Sequence, residues 1–306
     1  MKILLTGGSG FIGRYILSIL EKESFEVHAL TRDINKISKE LKNAPNIFWH
    51  QLNIADHNLV NEKIRHLKPE TCIHLAWDTM PGRYLDDIDI NLNLLNDSLH
   101  LLKSLVENKC SQFIALGTCA EYQLSDTDLF EDSQASPETI YAASKSSLYL
   151  LGKQITKNSA TKFCWGRLFF LYGPGENKNR LVPALLTSLH QNIEFKASSG
   201  EQWRDYLYVK DVALALFYLL KNQAEGAYNI CSNEAVQVKD ILLNAQNLMK
   251  KQNLIKLGSL ATRAWDPPYL VGNNQRLKSL GWSPQWNLTR GLLETIDCFS
   301  MKTCDE

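Results

Sequence analysis

The chain has 306 residues, with 33 lysines and arginines against 33 aspartates and glutamates, so its formal net charge is zero. This balance argues against nucleic acids and anionic membrane surfaces as partners, because binding to them depends largely on excess positive charge. The length allows one domain with a large appendage or two closely packed domains, and 44% hydrophobic and 22% charged residues are typical of a globular enzyme.

Strand-like and helix-like patterns alternate through the first half of the chain. The predicted elements are, in chain order, residues 2–6 (strand), 11–23 (helix), 26–31 (strand), 46–50 (strand), 57–67 (helix), 71–76 (strand), 86–108 (helix), 112–117 (strand), 141–157 (helix) and 162–169 (strand). Because strands separated by helices form parallel βαβ units with right-handed crossovers, this order predicts an α/β fold with a doubly wound parallel sheet of the Rossmann type.

The regular alternation ends after residue 172. The helices predicted beyond it are residues 181–190, 209–221, 238–250 and 288–299. We expect a Rossmann-type domain over residues 1–172, with 205–222 packing back on it. The remaining segments, 173–204 and 223–306, are expected to form a smaller lobe that is interleaved with the first domain.

A glycine-rich turn, Thr6-Gly7-Gly8-Ser9-Gly10-Phe11-Ile12-Gly13, lies directly after the first predicted strand. Its spacing, G-x-x-G-x-x-G, departs from the commoner G-x-G-x-x-G, and a lone glycine-rich turn is weak evidence. Between a buried strand and a helix, however, Gly7, Gly10 and Gly13 allow a tight turn, close approach to a pyrophosphate and close helix packing. The helix N-terminus then offers unpaired N–H groups to the phosphates, so the turn predicts a dinucleotide site.

A second motif, Tyr141-Ala142-Ala143-Ser144-Lys145, lies far downstream. Its tyrosine and lysine are four residues apart and share one face of the predicted helix. With the glycine turn and the strand order, this motif resembles the short-chain dehydrogenase/reductase superfamily, and within it the extended branch, also called the NAD-dependent epimerase/dehydratase family. The resemblance runs from Met1 to about Leu293 and implies that the second lobe binds the substrate.

Three residues are candidates for catalysis. A phenol has a pKa of about 10 and is a weak acid–base group at neutral pH. A neighbouring ammonium such as that of Lys145 and the positive charge of an oxidised nicotinamide both favour the phenolate and lower the pKa of Tyr141. Thr118, just after the fifth predicted strand, lies where open α/β sheets place their chemistry, and its hydroxyl can donate to a substrate carbonyl. The resemblance implies that Lys145 also binds the nicotinamide ribose. The alternatives are a surface tyrosine and lysine on an ordinary helix, and a threonine that caps a turn.

In the family that this chain resembles, the residues after the position of Thr118 differ between enzymes that catalyse different reactions. Its sugar 4,6-dehydratases carry Asp and then Glu at the positions of Cys119 and Ala120, and its 3,5-epimerase/reductases carry a cysteine at the position of Ala120. The chain lacks both patterns, and Glu121 is expected to have a solvated or structural role. What remains is the Thr-Tyr-Lys set, which suffices for hydride transfer to or from a carbinol without dehydration.

The end of the second predicted strand bears on the choice of coenzyme. NAD sites usually present an acidic residue there, whereas Arg32 suits the 2′-phosphate of NADP. Asp33 keeps NAD possible, so NADP is preferred and NAD is the alternative. By resemblance, the predicted coenzyme-binding residues are Gly7, Gly10, Phe11, Ile12, Gly13, Arg32, Asn53, Ile54, Leu75, Ala76, Trp77, Tyr141 and Lys145, of which Asn53 and Ile54 contact the adenine.

We expect reduction of a 4-keto-6-deoxy sugar carried on a nucleoside diphosphate, with hydride from the nicotinamide and a proton from Tyr141. The alternatives are a nucleotide-sugar 4-epimerase that retains NAD, a reductase of a non-sugar carbonyl, and a non-catalytic dinucleotide sensor. Arg180 and Arg204 lie in segments that resemble those by which the family binds the substrate diphosphate, the alternative being surface or structural ion pairs. Phe170 stands where many relatives carry a substrate-binding asparagine, which weakens the sugar assignment.

The predicted helices 86–108 and 141–157 carry rows of apolar residues. The residues in these rows are Leu92, Leu95, Leu99, Leu102 and Val106, then Leu94, Leu101 and Leu105, and on the second helix Leu148, Leu151 and Ile155. The resembling family often pairs these helices in a four-helix dimer interface, so a homodimer is expected. The alternative, that both rows belong to the core of one chain, carries equal weight.

The seven cysteines form no C-x-x-C pair, and their odd number indicates free thiols in a reducing compartment. No stretch approaches the length of a membrane span and the N-terminus enters the first strand at once, so we expect no membrane partner, no signal peptide and a cytoplasmic location. The seven histidines lack metal-binding spacing, so no metal is expected, and His74 is expected to be a packed strand-end residue.

Overall fold

The computed structural model of the protein describes residues 1–261 and 266–300. Its strands are β1 (Lys2–Thr6), β2 (Glu26–Thr31), β3 (Ile47–Gln51), β4 (Thr71–His74), β5 (Gln112–Thr118), β6 (Lys162–Leu168), β7 (Phe170–Tyr172), β8 (Phe195–Lys196), β9 (Trp203–Tyr208), β10 (Gly226–Ile230), β11 (Ala235–Gln237), β12 (Ile255–Lys256) and β13 (Tyr269–Leu270). Its helices are α1 (Phe11–Lys22), α2 (Lys39–Asn43), α3 (His57–Leu67), α4 (Ile88–Glu107), α5 (Ile140–Thr156), α6 (Leu181–His190), α7 (Val209–Lys221), α8 (Val238–Leu248), α9 (Gln275–Lys278) and α10 (Leu288–Ser300). The elements predicted from the sequence are all present, to within two residues at each end.

Seven strands form one parallel sheet in the order β10-β6-β5-β4-β1-β2-β3. This arrangement confirms the prediction of a doubly wound parallel sheet. β1 pairs with β4 on one side and with β2 on the other, so the strand order reverses at β1. The connections leave in opposite directions at such a point and open a crevice at the carboxyl ends of the strands. The glycine turn follows β1 at this crevice.

The strand β10 pairs with β6 at one edge of this sheet. The predicted division of the chain assigns residues 223–306 to the second lobe, whereas the structure places residues 226–230 in the large sheet. The division into two domains stays a prediction.

Helices cover both faces of the large sheet. Because successive side chains of a strand point to opposite faces, neighbouring leucines of β1 enter different cores. Leu5 faces α1 and α7, which pack on each other, whereas Leu4 shares a core with Leu101 of α4 and Leu148 of α5. These four side chains are fully buried. The strand ends that carry the site are therefore fixed by packing on both sides of the sheet.

A smaller layer lies beyond the carboxyl end of β6. The chain passes through Phe169 into β7, which pairs with β9, and β9 also pairs with β11 and β13. Helices α6, α8 and α10 pack against this layer and contribute Leu185, Ile241 and Leu292 to a separate core. The layer therefore has a hydrophobic core of its own, separate from the two cores of the large sheet.

A chain of hydrogen bonds joins the ends of β1 and β4 to α4. The N–H of Ala76 donates to Thr6 Oγ1 at 3.2 Å, and Thr6 Oγ1 lies 2.8 Å from His74 Nδ1. His74 Nε2 lies 2.9 Å from Ser98 Oγ, which donates to the carbonyl of Leu94 at 2.6 Å. The directions are consistent only if Nε2 carries the proton and Nδ1 accepts. Burial lowers the pKa of His74 to about 3, so this strand-end histidine is neutral.

Candidate active site

The glycine turn forms a cradle without side chains at the start of α1. Gly7 has φ +72°, and a Cβ at this position would lie 2.8 Å from the backbone nitrogen of Ala76. A Cβ on Gly13 would collide with the carbonyl oxygen of Gly7 and with Gly8. No side chain caps the first turn of α1, so its N–H groups stay open. A narrow cradle with open N–H groups fits the pyrophosphate of a dinucleotide.

The end of β2 presents one cation at the rim of the crevice. Arg32 is exposed, and among the described residues its guanidinium makes no hydrogen bond or ion pair. The Asp33 carboxylate accepts the N–H of Asn35 at 2.9 Å and so caps a short 3-10 turn. The Thr31 hydroxyl accepts the N–H of Asp33 at 3.2 Å and lies 3.4 Å from Ser9 Oγ. The Asp33 carboxylate is therefore engaged by the N–H of Asn35, whereas the exposed guanidinium of Arg32 can reach a ligand.

The remaining predicted coenzyme residues lie along the same edge of the sheet. Leu75 and Ala76 follow β4 directly, and the N–H of Leu75 donates to the carbonyl of Thr6 at 3.2 Å. Asn53 is exposed after β3, and Ile54 is buried beside it. The carboxyl ends of β1 to β4 thus bring these residues to one crevice, and their contacts with a coenzyme stay predictions.

The predicted catalytic hydroxyls meet where β5 ends against the start of α5. The Thr118 hydroxyl accepts the N–H of Ala120 at 3.2 Å, which leaves its own proton free to donate. Tyr141 lies in the first turn of α5, and its N–H donates to the carbonyl of Leu85 at 3.2 Å. The ring of Tyr84 packs edge-on against the Tyr141 ring, with centroids 4.9 Å apart at 81°. These contacts fix the Tyr141 ring beside Thr118.

Lys145 lies one turn further along α5 and is buried. Its Nζ donates to the carbonyl of Leu116 at 2.8 Å and lies 3.7 Å from the centroid of the Trp77 ring, a cation–π contact. The Trp77 Nε1 donates to Asn91 Oδ1 at 3.1 Å, and Asn91 is fully buried on α4. Trp77 is therefore held in place and forms one side of the lysine site.

The charge states of Tyr141 and Lys145 follow from burial. Burial raises the pKa of the Tyr141 phenol well above its usual value, and hydrogen bonding by Thr118 opposes part of that rise. Burial lowers the pKa of the Lys145 ammonium to about 7, and the Glu121 carboxylate opposes the fall. The sequence predicts the reverse direction for Tyr141, since Lys145 was expected to favour the phenolate. In the protein alone, desolvation outweighs that effect and keeps the phenol protonated.

Glu121 is fully buried and has a structural role rather than a solvated one. Its carboxylate accepts the N–H of Thr118 at 2.8 Å, the Arg167 Nε at 2.8 Å and the Trp165 Nε1 at 3.1 Å. Every contact comes from an N–H donor, which suits an ionised carboxylate. A Cβ on Gly117 would collide with this carboxylate, so glycine is required there. Glu121 thus fixes the backbone that carries Thr118.

The residue after Thr118 does not provide a reactive thiolate. Cys119 is 7% exposed, and burial raises the pKa of its thiol to about 12, so it stays protonated at neutral pH. The next residue, Ala120, carries no ionisable group. Neither position can remove a carbon-bound proton or expel a hydroxyl group from a sugar.

The two predicted substrate arginines have different surroundings. Arg180 is the residue before α6, and its guanidinium lies 5.0 Å from the centroid of the Tyr84 ring. One terminal nitrogen donates to the carbonyl of Thr79 at 3.0 Å. Because Tyr84 also packs on Tyr141, Arg180 is connected to the catalytic candidates through one side chain.

Arg204 is buried and already paired. Its terminal nitrogens donate to Asp266 Oδ1 at 2.5 Å and to the carbonyl of Trp203 at 2.7 Å. Its guanidinium also lies 5.4 Å from the centroid of the Phe170 ring. This geometry fits the alternative of a structural ion pair for Arg204, and Arg180 remains the better candidate for a substrate diphosphate.

Sequence reasoning missed three side chains of this region. Tyr84 and Asn91 contact the catalytic candidates directly or through Trp77, and Glu176 lies next to Arg180 in the turn after β7. Tyr84 and Glu176 come from loops without a motif, and the interior face of α4 looks like any other helix face. No local signal marked them.

Comparison with known proteins finds a matching family model and relatives that align over nearly the whole chain. A family model described as "NAD dependent epimerase/dehydratase family" matches residues 3–231. CDP-abequose synthase of Salmonella typhimurium is 28% identical over 304 residues, which cover 96% of this chain and 97% of that protein. dTDP-4-dehydro-6-deoxyglucose reductase of Escherichia coli is 26% identical over 317 residues, with 97% and 98% covered.

A solved structure extends the likeness to the whole fold. The dTDP-glucose 4,6-dehydratase of Streptomyces venezuelae, solved with NAD bound, has a TM-score of 0.88 to this chain, at 19% identity and with 98% and 97% of the two chains covered. Within residues 1–261 and 266–300, none of the helices combines the length and hydrophobicity that crossing a bilayer requires. The same residues contain no group of three or more His, Cys, Asp or Glu side chains placed to hold a metal ion.

Proposed function

The chain belongs to the NAD dependent epimerase/dehydratase family, as its two motifs predicted, and we propose that within this family it is a reductase of a nucleotide-linked 4-keto-6-deoxy sugar. The observation that carries the proposal is the meeting of Thr118 with Tyr141 and Lys145 of α5, with a buried thiol and an alanine at positions 119 and 120 in place of the groups that dehydration or 3,5-epimerisation uses. The names of the two curated relatives, a CDP-abequose synthase and a dTDP-4-dehydro-6-deoxyglucose reductase, support a deoxysugar substrate.

In the proposed reaction a carbonyl gains a hydride at carbon and a proton at oxygen, which gives an alcohol. The bound nicotinamide coenzyme supplies the hydride. Thr118 donates a hydrogen bond to the carbonyl oxygen and stabilises the negative charge that develops there. Tyr141 gives its phenolic proton to the same oxygen, and its raised pKa ensures that this proton is present before the reaction. Lys145 orients the coenzyme ribose and, as an ammonium, stabilises the phenolate that remains.

NADP is the proposed coenzyme because Arg32 is the unpaired cation at the end of β2 among the described residues. Replacing Arg32 by Ala should raise the Kd for NADPH by about 10- to 100-fold, since a hydrogen bond to a charged group contributes about 1.5–3 kcal/mol. The Kd for NADH should change little. Fluorescence titration with both coenzymes measures this, with Lys36→Ala as the control. Equal losses for both coenzymes would show that Arg32 does not recognise the 2′-phosphate and would overturn the preference for NADP.

The reaction itself is tested by oxidation of NADPH or NADH with a panel of nucleotide-linked 4-keto-6-deoxy sugars. We expect one coenzyme oxidised per sugar reduced, with one member of the panel. A 4-epimerase would instead copurify with tightly bound NAD and consume none. No oxidation across the panel would contradict the reductase and favour the epimerase or a non-sugar carbonyl.

We also propose that two copies pair through α4 and α5. Leu92 and Leu151 are 48% and 46% exposed on these helices, whereas Leu101 and Leu105 of α4 are buried in the core. Replacing Leu151 by Glu should therefore shift the protein from dimer to monomer in sedimentation, because it buries a charge in the interface. Leu243→Glu, on the exposed side of α8, is the control and should leave the assembly unchanged. An unchanged sedimentation coefficient for the Leu151 variant would overturn this interface.

A further inference from the structure

Glu176 has a buried carboxyl oxygen that lacks a hydrogen-bond partner among the described residues. It follows β7 in a tight turn, where Gly173 and Gly175 both have positive φ. Its Oε2 is shielded from solvent and makes no hydrogen bond with any described residue. A buried polar atom without a hydrogen bond costs about 1–3 kcal/mol, so its presence in a native fold calls for an explanation.

The surroundings of Glu176 connect it to the candidate active site. Arg180, four residues further along the chain, lies near enough for its charge to act on the carboxyl, but its own hydrogen bonds go to Tyr84 and to Thr79. The Tyr206 ring of β9 is also close, since the Glu176 charge acts on its phenol. Glu176 is therefore linked through Arg180 to Tyr84, which packs on Tyr141.

We propose that Glu176, a partly exposed residue, determines specificity and that its carboxyl group hydrogen-bonds a hydroxyl group on the sugar ring of the substrate. The inference rests on the proposed function, because it takes a nucleotide sugar as the ligand. A sugar hydroxyl both donates and accepts, so it can pair with a carboxyl in either protonation state, whereas a phosphate would be repelled by a carboxylate. Burial raises the pKa of Glu176 to about 8, which makes the neutral carboxyl the main form at pH 7 and lets it lie close to the anionic diphosphate.

Two variants separate this role from a structural one. Glu176→Gln keeps the shape of the neutral carboxyl together with a donor and an acceptor, and Glu176→Leu keeps the size but removes both. Calorimetry with coenzyme present would compare UDP-glucose, dTDP-glucose, CDP-glucose and GDP-mannose with the corresponding nucleoside diphosphates. For the conjugate that the native protein binds most tightly, we expect Glu176→Leu to raise the Kd by about 10-fold or more, since the sugar hydroxyl loses its partner.

The matching diphosphate should bind the native protein and both variants within about threefold, and Glu176→Gln should keep the affinity for the conjugate within the same range. The free energy of unfolding of Glu176→Leu should be unchanged or higher, because an unpaired buried group has been removed. Equal losses for conjugate and diphosphate, or no loss for the conjugate, would overturn the role of Glu176 while leaving the reductase intact. A native protein that binds none of the four conjugates would contradict the proposed function and this inference together.

Discussion

Replacing Tyr141 by Phe should lower kcat by about 100- to 10,000-fold, the usual contribution of a positioned general acid. The variant loses only the phenolic oxygen, so the alkoxide that forms on the substrate would have no proton donor at this position. The ring contacts with Tyr84 and Trp77 do not use that oxygen, and the fold should be retained. Steady-state oxidation of the reduced coenzyme with the substrate found in the panel measures the effect.

Tyr149→Phe provides the matched control for this experiment. Tyr149 lies on the same helix, α5, and packs against Phe163 and Trp165. Removal of the Tyr149 hydroxyl should change kcat less than about twofold, because Tyr149 is not among the catalytic or coenzyme-binding candidates. Coenzyme affinity should be the same in the Tyr149 variant and in the native protein. A Tyr141 variant that keeps more than a tenth of the native kcat would show that another group delivers the proton.

Replacing Glu121 by Gln should destabilise the protein by about 3–5 kcal/mol, because it leaves the buried Arg167 without a counter-charge. The side chains of this pair are 0% and 5% exposed, and the Glu121 oxygen lies 2.8 Å from the Arg167 Nε. Arg167 also donates to the carbonyl of Glu131 at 2.9 Å, so it is held in place and cannot turn out to solvent. Chemical denaturation with two independent probes measures the loss.

An exposed ion pair provides the contrast for the Glu121 variant. Glu107 lies 3.6 Å from Lys103 on α4, with side chains 61% and 69% exposed. Glu107→Gln should change stability by less than about 0.5 kcal/mol, since exposed pairs contribute little. In a double-mutant cycle, adding Arg167→Met to Glu121→Gln should recover part of the loss, because the unpaired charge is removed. Equal effects at the two sites would show that Glu121 is not an ionised, buried partner.

Local patterns in the sequence were sufficient to predict most of the fold. β1 to β6 and their helices have apolar runs and amphipathic stripes that are visible in a single sequence. β10 was missed because Asn229 and Gly226 interrupt its apolar pattern, although in the structure Asn229 is fully buried and accepts from Tyr122 at 2.6 Å. The two- and three-residue strands of the smaller layer are too short to show any period, and only tertiary pairing forms them.

The candidate site could be predicted where its residues share a motif and not where they meet across the fold. The glycine turn, the spacing of Tyr141 and Lys145, and the strand-end position of Thr118 are local features. The placement of Trp77 over Lys145 joins two elements that are far apart in the chain. The direction of the Tyr141 pKa depends on desolvation, which spacing does not reveal.

Transfer of a hydride from the coenzyme to a sugar carbonyl can be followed with an isotope label. Each stereospecifically labelled form of NADPH, deuterated at carbon 4 of the nicotinamide, would be incubated with the protein and the nucleotide-linked 4-keto-6-deoxy sugars. NMR and mass spectrometry would then locate the label in the product. We expect one deuterium at carbon 4 of the sugar from one of the two coenzyme forms and none from the other. A sugar product without deuterium from either form, or with deuterium only at another carbon, would contradict this hydride transfer.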